Sequence, residues 1–252
     1  MAVKSQHAMA ALLELVEVAP PETPIVCLQN GVSNEPAALR VFPNVQGAAF
    51  ACPASYLGLG VVQAWSTPVT GLLDIGRYFA GIDQVSEAVA ADFRAATFGS
   101  GPVDDIRRWK YRKLLTNLGN VIEAVCGPHE RHGPLGGHAP RRGRAVLAAA
   151  GLEAATAEED QTRRADLLRL GEIAGRTRPG GSSWQSVRRG AGDIETDCLN
   201  GEIVLLGRMH GVSAPANPAS DPGRPGDGGS RRRVPSWRDS ADERHDKLVI
   251  NQ

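Results

Sequence analysis

A lysine and two asparagines follow one another at helical spacing in the middle of the chain: Lys113, Asn117 and Asn120. At about 100° per residue these side chains fall on one face of the helix predicted over 111–125, away from an apolar stripe. The stripe comprises Leu114, Leu118, Val121, Ile122 and Val125. An ammonium flanked by amides can hold a carbonyl oxygen and protonate it. The alternative interpretation is a solvated helix face, which residues of these types commonly form.

Three further polar positions could complete such a site. Asn30 follows a strand predicted over 25–28, and ligands of open α/β sheets bind beyond the carboxyl ends of strands. Ser183 lies in a predicted polar loop, and Glu195 lies in the first turn of a predicted helix. Each position also has a purely structural explanation, since Asn-Gly is a common turn and a carboxylate often caps a helix. Only a partner such as Lys113 would make Glu195 functional.

The elements that must position these residues divide the chain into two parts. Up to residue 102 helices alternate with β-rich runs, which predicts an α/β domain, and from 104 onward the pattern predicts helices only. The predicted helices cover 8–15, 35–41, 84–97, 111–125, 144–150, 157–174 and 194–209, and the β-rich runs cover 25–28, 45–52, 57–65 and 69–75. We therefore predict an α/β domain over 1–102 and an all-α domain over 103–217.

Composition also predicts where the chain does not fold and where helices begin. Residues 127–143 are rich in Gly, Pro, His and Arg, and Gly, Pro, Ser, Asp and Arg dominate 218–252, so both segments are predicted to be disordered. Thr156 and Glu159 have the spacing of a capping box, and Asp193 is placed to cap the last helix. The two caps predict where two of the helices begin.

The charge balance and the cysteines narrow the class of partner. The 28 basic and 28 acidic residues give a formal net charge of +0, which favours neither nucleic acid nor an anionic membrane as a partner. No uncharged run reaches the roughly 18 residues of a membrane span. The four cysteines form no CxxC pair, which predicts reduced thiols in the cytoplasm, and His129, His132 and His138 lack the spacing of a metal site. The expected partner is a small metabolite.

Short motifs along the chain, taken in order, resemble the ketopantoate reductase family over about residues 3–217. They are Val3-Lys4-Ser5-Gln6, Leu28-Gln29-Asn30-Gly31, Trp109 with Lys113-Leu114 and Asn117, Ser182-Ser183 before Gln185, Glu195 with Asp197, Asn200-Gly201, and His210-Gly211 with Pro215 and Asn217. The resemblance implies an NADPH-binding Rossmann-type domain and an all-helical domain that closes the cleft. It implies reduction of 2-dehydropantoate, a small-molecule 2-oxoacid, to pantoate on the route to pantothenate and coenzyme A. It is compatible with a homodimer.

The same resemblance assigns roles around the substrate. Lys113 matches the family's proton donor to the ketone oxygen, and Glu195 matches an acid near that lysine and the nicotinamide ribose. Asn117 and Ser183 match substrate-binding positions. Asn120 is the candidate for a second substrate asparagine, which strict spacing would place one residue later. The implied catalytic pair is therefore Lys113 with Glu195.

The implied cofactor-binding residues are Lys4, Asn30 and Glu195. Asn30 matches the asparagine of the family's Leu-Gln-Asn-Gly turn, which lies between cofactor and substrate. Lys4 matches a basic residue at the end of an earlier strand, and the backbone of 52–54 is expected to approach the cofactor.

The family's opening βαβ unit, with its G-x-G-x-x-G loop, is expected to precede Lys4. Gly58-Leu59-Gly60 does not replace it, because a third glycine and a following helix are missing. We therefore expect an N-terminally truncated chain with an incomplete Rossmann-type domain, whose own activity depends on a loop encoded upstream. Two alternatives stay open: a reductase of another branched 2-oxoacid, and a non-catalytic helical dimerisation or binding remnant.

Overall fold

The computed structural model describes residues 1–127, 130, 131, 133–191 and 194–213. The described residues all belong to one compact unit. Its helices are α1 (Ser5–Val16), α2 (Asn34–Leu39), α3 (Gln84–Ala95), α4 (Ile106–Asn117), α5 (Asn120–Cys126), α6 (Pro134–Ala149), α7 (Ala157–Arg164), α8 (Ser182–Arg188) and α9 (Thr196–Met209). Its strands are β1 (Ile25–Cys27), β2 (Val45–Ala51), β3 (Ala54–Gly58), β4 (Val61–Ala64), β5 (Ser66–Pro68), β6 (Leu72–Arg77) and β7 (Leu168–Leu170). Across these residues no helix is both long and apolar enough to cross a bilayer.

The central sheet has the strand order β1-β2-β6. β1 runs parallel to β2, with Ile25 opposite Val45, and α2 is the connection between them. β6 is antiparallel to β2, and the segment 99–102 adds parallel bridges to the outer side of β6. A parallel β1-α2-β2 unit places the residue after each strand at one edge of the sheet, where ligands of open α/β sheets bind.

Two hydrophobic clusters hold the elements in place. One cluster lies under α1 and the β1-α2-β2 unit and includes Leu12, Ile25, Cys27, Ala38, Phe42 and Val45. The other joins α4, α6 and α9 and includes Leu114, Leu115, Leu118, Val146, Leu147, Leu199 and Ile203. Val32, just after β1, is buried in this second cluster. The helical part therefore packs directly against the turn that follows β1.

The helix predicted over 111–125 is in fact two helices. α4 begins at Ile106, because the Asp105 side chain accepts a hydrogen bond from the Arg107 backbone N–H at 3.1 Å. It ends before Leu118, whose carbonyl accepts a hydrogen bond from Asn200 Nδ2 at 3.0 Å. The glycine that follows Leu118 has low helix propensity, so α5 starts afresh at Asn120.

The prediction of disorder over 127–143 is wrong for residues 134–143, which belong to α6. The glycine content that suggested disorder has a packing reason at Gly143. A Cβ atom there would lie 2.6 Å from Leu115 Cδ2 and 2.8 Å from Leu118 Cδ1. Glycine at this position therefore lets α6 approach α4 closely. The predicted tail over 218–252 lies outside the described residues.

Four other element predictions are corrected. The run predicted over 57–65 is the hairpin of β3 and β4, which turns at Gly60 with φ +74°. The prediction of helices only after residue 104 is wrong, because β7 pairs with β5. For the same reason α7 ends at Arg164 instead of continuing to 174. The predicted polar loop at 182–186 is helix α8.

The capping box at the start of α7 is confirmed. Thr156 Oγ1 accepts the Glu159 backbone N–H at 3.0 Å, and Glu159 Oε2 accepts the Thr156 N–H at 2.6 Å. The predicted cap Asp193 lies outside the described residues, and so do His129 and His132.

Candidate active site

Lys113 lies between two depressions at the edge of the sheet. The larger one encloses about 400 Å³, part of it open to solvent. It is lined by residues of β2, β6, α4 and α7: Ala49, Phe50, Ala51, Leu72, Asp74, Trp109, Arg112, Lys113, Thr116, Asp160, Arg163 and Arg164. The smaller one is lined by Gln29, Asn30, Gly31, Ala48, Ala49, Phe50, Lys110 and Lys113. We call the larger one the arginine cleft and the smaller one the turn pocket.

The Lys113 ammonium has an unusual environment. Burial, and after it the nearby Arg164 and Arg131 guanidinium groups, lower its pKa to about 8, against the opposing effects of Asp160 and Cys52. Its Nζ atom lies 5.7 Å from the centroid of the Phe50 ring. In the part of the chain that the structure describes, no carboxylate forms an ion pair with it. Lys113 is therefore a cation that can give up its proton near neutral pH.

The Asn30-Gly31 turn forms the floor of the turn pocket at the carboxyl end of β1. Gly31 has φ +84°, and a Cβ atom there would lie 2.9 Å from the Cys198 carbonyl oxygen, so only glycine fits between the turn and α9. Asn30 Oδ1 and both amide atoms of Gln29 are buried without a hydrogen-bond partner in the described structure. Buried polar atoms are rarely left unpaired, so such a group is a candidate for contact with a ligand.

A buried ion pair holds this turn to α4. The Lys110 ammonium is paired with the Glu35 carboxylate of α2, and both side chains are almost completely inaccessible to solvent. Lys110 Nζ also donates a hydrogen bond to the Gln29 carbonyl oxygen at 2.9 Å. Sequence reasoning missed this pair. The sequence did contain a signal for it. Lys110 lies four residues before Leu114, which places a charged side chain on the helix face that was predicted to be apolar.

Glu195 has partners other than the predicted one. Its Oε1 atom accepts hydrogen bonds from the backbone N–H and the hydroxyl of Ser5, both at 3.1 Å, and its Oε2 atom lies 3.9 Å from Lys4 Nζ. Lys4 Nζ also donates to Ser186 Oγ at 3.1 Å. The predicted pairing of Glu195 with Lys113 is therefore not formed in this structure. Instead the structure brings together Lys4 and Glu195, two of the cofactor-binding candidates.

Ser183 is buried in the first turn of α8, whose start is fixed by a glutamate of α5. Glu123 Oε1 accepts the Gly181 backbone N–H at 2.8 Å, and Glu123 Oε2 accepts Arg131 Nη1 at 3.1 Å. At the other side of α8, Gln185 Nε2 donates to the Ala54 carbonyl oxygen at 3.2 Å. These contacts connect Ser183, the candidate substrate-binding serine, to α5 and to β3. Glu123, too, was missed by sequence reasoning.

Asn117 and Asn120 are both buried, but they lie on different helices. Asn117 Nδ2 and Asn120 Oδ1 each have no hydrogen-bond partner among the described residues. The facing predicted for Asn120 assumed one continuous helix, which the break after Asn117 removes. The substrate-binding roles of Asn117, Asn120 and Ser183 stay predictions.

Two family models match most of the chain. The model for ketopantoate reductase PanE/ApbA matches residues 1–69, and the model for the ketopantoate reductase PanE/ApbA C terminal matches residues 105–219. The chain belongs to the PanE/ApbA ketopantoate reductase family. The predicted family resemblance is thereby confirmed. So is the predicted fold class, a Rossmann-like α/β part followed by a helical C-terminal part.

Solved structures share this fold. A D-mandelate dehydrogenase in complex with NADH matches with a TM-score of 0.68 at 18% identity, over 85% of this chain and 73% of that one. The 2-dehydropantoate 2-reductase from Methylococcus capsulatus matches with a TM-score of 0.62 at 21% identity, over 80% of this chain and 64% of that one. A dimeric ketopantoate reductase from Staphylococcus aureus matches with a TM-score of 0.61 at 20% identity, over 85% of this chain and 71% of that one. Likenesses at these identities support the fold and say nothing of substrate.

Proposed function

We propose that this protein reduces the keto group of a 2-oxoacid with hydride from NADPH and that Lys113 protonates the oxygen. The substrate proposed from the family motifs is 2-dehydropantoate, which would be reduced to pantoate for pantothenate synthesis in the cytoplasm. The observation that carries the proposal is the position of Lys113, a cation without an ion-pair partner among the described residues, beside the Asn30-Gly31 turn at the carboxyl end of β1. A homodimer is part of the proposal, since the Staphylococcus aureus relative is dimeric.

Lys113 has the properties of a general acid. With a pKa of about 8, the ammonium outnumbers the amine by about ten to one at pH 7, so a proton is available. As a ketone carbon accepts hydride, its oxygen becomes an alkoxide, and an ammonium beside it can donate to that oxygen. The neutral amine that remains is favoured by burial and by the positive charges of Arg164 and Arg131. The same features that lower the pKa therefore assist donation.

The residues around the turn fit a nicotinamide cofactor. Asn30 Oδ1 is a buried acceptor to which no described residue donates, and it suits an amide N–H, while Lys4, Ser5 and Glu195 form a polar group that suits ribose hydroxyls. These residues would hold the nicotinamide end of the cofactor, which supplies the hydride when it is bound. NADPH is proposed over NADH from the family motifs alone.

A second candidate function is reduction of another branched or aryl 2-oxoacid. The residues that line the arginine cleft beside Lys113 include the apolar side chains of Phe50, Leu72 and Trp109, which suit contact with an aryl or branched group. The D-mandelate dehydrogenase that shares the fold is an example of a neighbour with an aryl substrate. Pocket side chains, not the proton donor, choose between such substrates.

Steady-state assays of the purified protein test both candidates. We expect oxidation of NADPH with 2-dehydropantoate, and a higher kcat/KM for it than for 2-oxo-3-methylbutanoate or phenylglyoxylate. A preference for phenylglyoxylate would support the second candidate. A folded protein that binds NADPH or NADH but oxidises neither with any of the three acids would refute the proposed function.

The pH profile of kcat/KM should report the titration of Lys113. Because the protonated form is the active one, kcat/KM should fall as pH rises through about 8. Arg164→Gln removes a charge that lowers the pKa of Lys113, so the alkaline limb should move to higher pH. Asp160→Asn removes a charge that raises this pKa, so the limb should move to lower pH. Arg142→Gln, on the exposed side of α6, is the control and should leave the limb in place.

A profile that is flat between pH 7 and pH 9 would contradict the role of Lys113, and so would shifts of the same sign in the Arg164 and Asp160 variants. Opposite shifts cannot arise from a loss of stability, because a loss of stability does not depend on the sign of the charge removed.

A further inference from the structure

The three residues predicted to bind the substrate lie on three different helices. Asn117 is at the end of α4, Asn120 is at the start of α5, and Ser183 is in the first turn of α8. Residues on separate elements can hold one ligand only if those elements are fixed relative to one another. Asn117 Nδ2 and Asn120 Oδ1 are buried, and no described residue forms a hydrogen bond with either atom. Contacts of the surrounding backbone must therefore fix where these two amides lie.

The ion pair of Arg131 with Glu123 links the first two of these helices. Arg131 Nη2 donates at 2.9 Å to the carbonyl oxygen of Thr116, the residue before Asn117. Its Nη1 atom donates at 3.1 Å to Glu123 Oε2, which lies on α5 one turn after Asn120. A planar guanidinium holds its donors in a fixed geometry, so these two bonds set the end of α4 against α5. We call this ion pair the helix junction.

The carboxylate of Glu123 extends the helix junction to α8. Its Oε1 atom accepts the backbone N–H of Gly181, two residues before Ser183, at 2.8 Å. Two glycines allow this close approach. A Cβ atom on Gly181 would lie 2.8 Å from Glu123 Oε2, and one on Gly180 would lie 2.7 Å from Trp184 Cγ. Glu123 is buried, and charge-assisted hydrogen bonds are strong where the dielectric is low.

We propose that Glu123 and Arg131 are positioning residues, which hold the three predicted substrate-binding residues in one arrangement. The inference rests on the proposed function and on the predicted roles of those three residues. Neither Glu123 nor Arg131 is among the described residues that line the two depressions beside Lys113. They therefore act on the substrate through the helices that they join.

The alternative is that the helix junction contributes only to stability. A second partly exposed ion pair provides a matched control, because Arg108 Nη2 donates to both carboxylate oxygens of Glu159 at 3.1 and 3.0 Å. The side chain of Arg108 is 32% accessible, and that of Arg131 is 25% accessible. Arg108 lies at the opposite end of α4 from the junction. Its loss should therefore affect stability in a similar way and leave substrate binding unchanged.

Steady-state kinetics of Arg131→Gln, Glu123→Gln and Arg108→Gln distinguish the two roles. In Glu123→Gln an amide NH2, which cannot accept a hydrogen bond, replaces one carboxylate oxygen, so one of its two contacts is lost. Each junction variant should raise KM for 2-dehydropantoate about tenfold, since a displacement of about 1 Å can cost up to about 10²-fold. The effect on kcat should be smaller, and KM for NADPH should change little, because the junction acts on binding of the acid. Arg108→Gln should keep both KM values of the wild type.

Two details of the design keep the kinetics interpretable. Assays are run at pH 7, because loss of the Arg131 charge raises the pKa of Lys113 and leaves its ammonium form dominant there. The double variant of Glu123→Gln with Arg131→Gln should be no worse than the more severe single variant, because both substitutions break the same network. Independent contributions would add instead.

Amide hydrogen exchange of the same proteins tests the helix junction without turnover. Exchange over residues 117–121 and 181–186 should be faster in both junction variants and unchanged in Arg108→Gln. Unchanged KM for the acid in both junction variants would overturn the proposal, and so would additive effects in the double variant. Parallel changes in both KM values and in unfolding free energy would also overturn it. If the wild type binds NADPH but does not turn over the acid, the proposed function fails, and the exchange pattern alone then decides whether the junction fixes the three helices.

Discussion

Replacing Lys113 with methionine should lower kcat by about 10²- to 10⁴-fold, the usual contribution of a general acid, with a much smaller effect on the dissociation constant of the dinucleotide. Methionine keeps the length and apolar stem of the side chain and removes only the proton source. The Phe50 ring and the rest of the cleft wall can stay in place, because no ion pair of Lys113 is broken in the described structure. The loss should therefore appear in kcat and not in stability.

Lys113→Arg is the informative companion variant. Arginine keeps the positive charge but holds its proton too tightly to donate it near neutral pH. If Lys113 acts as a proton donor, kcat of the arginine variant should stay close to that of the methionine variant. If the lysine only attracts an anionic substrate, arginine should restore most of the activity. If both variants instead lose unfolding free energy together with kcat, Lys113 has a structural role.

The sequence supported part of this site, and the reason lies in the range of the interactions. Asn30 and Lys113 were identified because a strand end and a helical period are local patterns that short segments reveal. The partner of Glu195 was assigned wrongly, because its contacts with Ser5 join residues 190 positions apart, from α1 to the start of α9. The periodicity of a short segment carries no information about contacts between residues so far apart in sequence.

The fold, too, was predictable only where it depends on short segments of the sequence. The β1-α2-β2 unit was predictable from an apolar run, an Asn-Gly turn and the next apolar run. Helix α8 was not, because its start depends on a carboxylate of α5: Glu123 accepts the Gly181 N–H that would otherwise be an unsatisfied helix-end donor. The break between α4 and α5 likewise depends on Asn200, which satisfies the Leu118 carbonyl from another helix. Tertiary hydrogen bonds therefore contribute to both helix ends, in addition to the low helix propensity of Gly119 between α4 and α5.

The buried pair of Lys110 and Glu35 leads to the largest stability prediction. Lys110→Met should lower the free energy of unfolding by about 3 to 5 kcal/mol, because it leaves the Glu35 carboxylate buried without its counter-ion. The side chains of Lys110 and Glu35 are 3% and 0% accessible, so water cannot compensate. The control is Arg169→Met, which breaks an ion pair with Asp166 on the surface and should change stability little. Urea unfolding of the three proteins measures the difference.

The double variant Lys110→Met with Glu35→Leu distinguishes the contribution of Lys110 to stability from its contribution to the position of the Asn30-Gly31 turn. Replacing both members of a buried pair by apolar side chains is often neutral, so much of the lost stability should return. The Gln29 carbonyl oxygen, however, still lacks the ammonium that donates to it at 2.9 Å in the wild type. Amide hydrogen exchange over residues 29–33 should therefore be faster in the double variant than in the wild type, although both are folded. If exchange there is unchanged, Lys110 contributes only to stability; if it is faster, Lys110 is a positioning residue that holds Asn30 opposite Lys113.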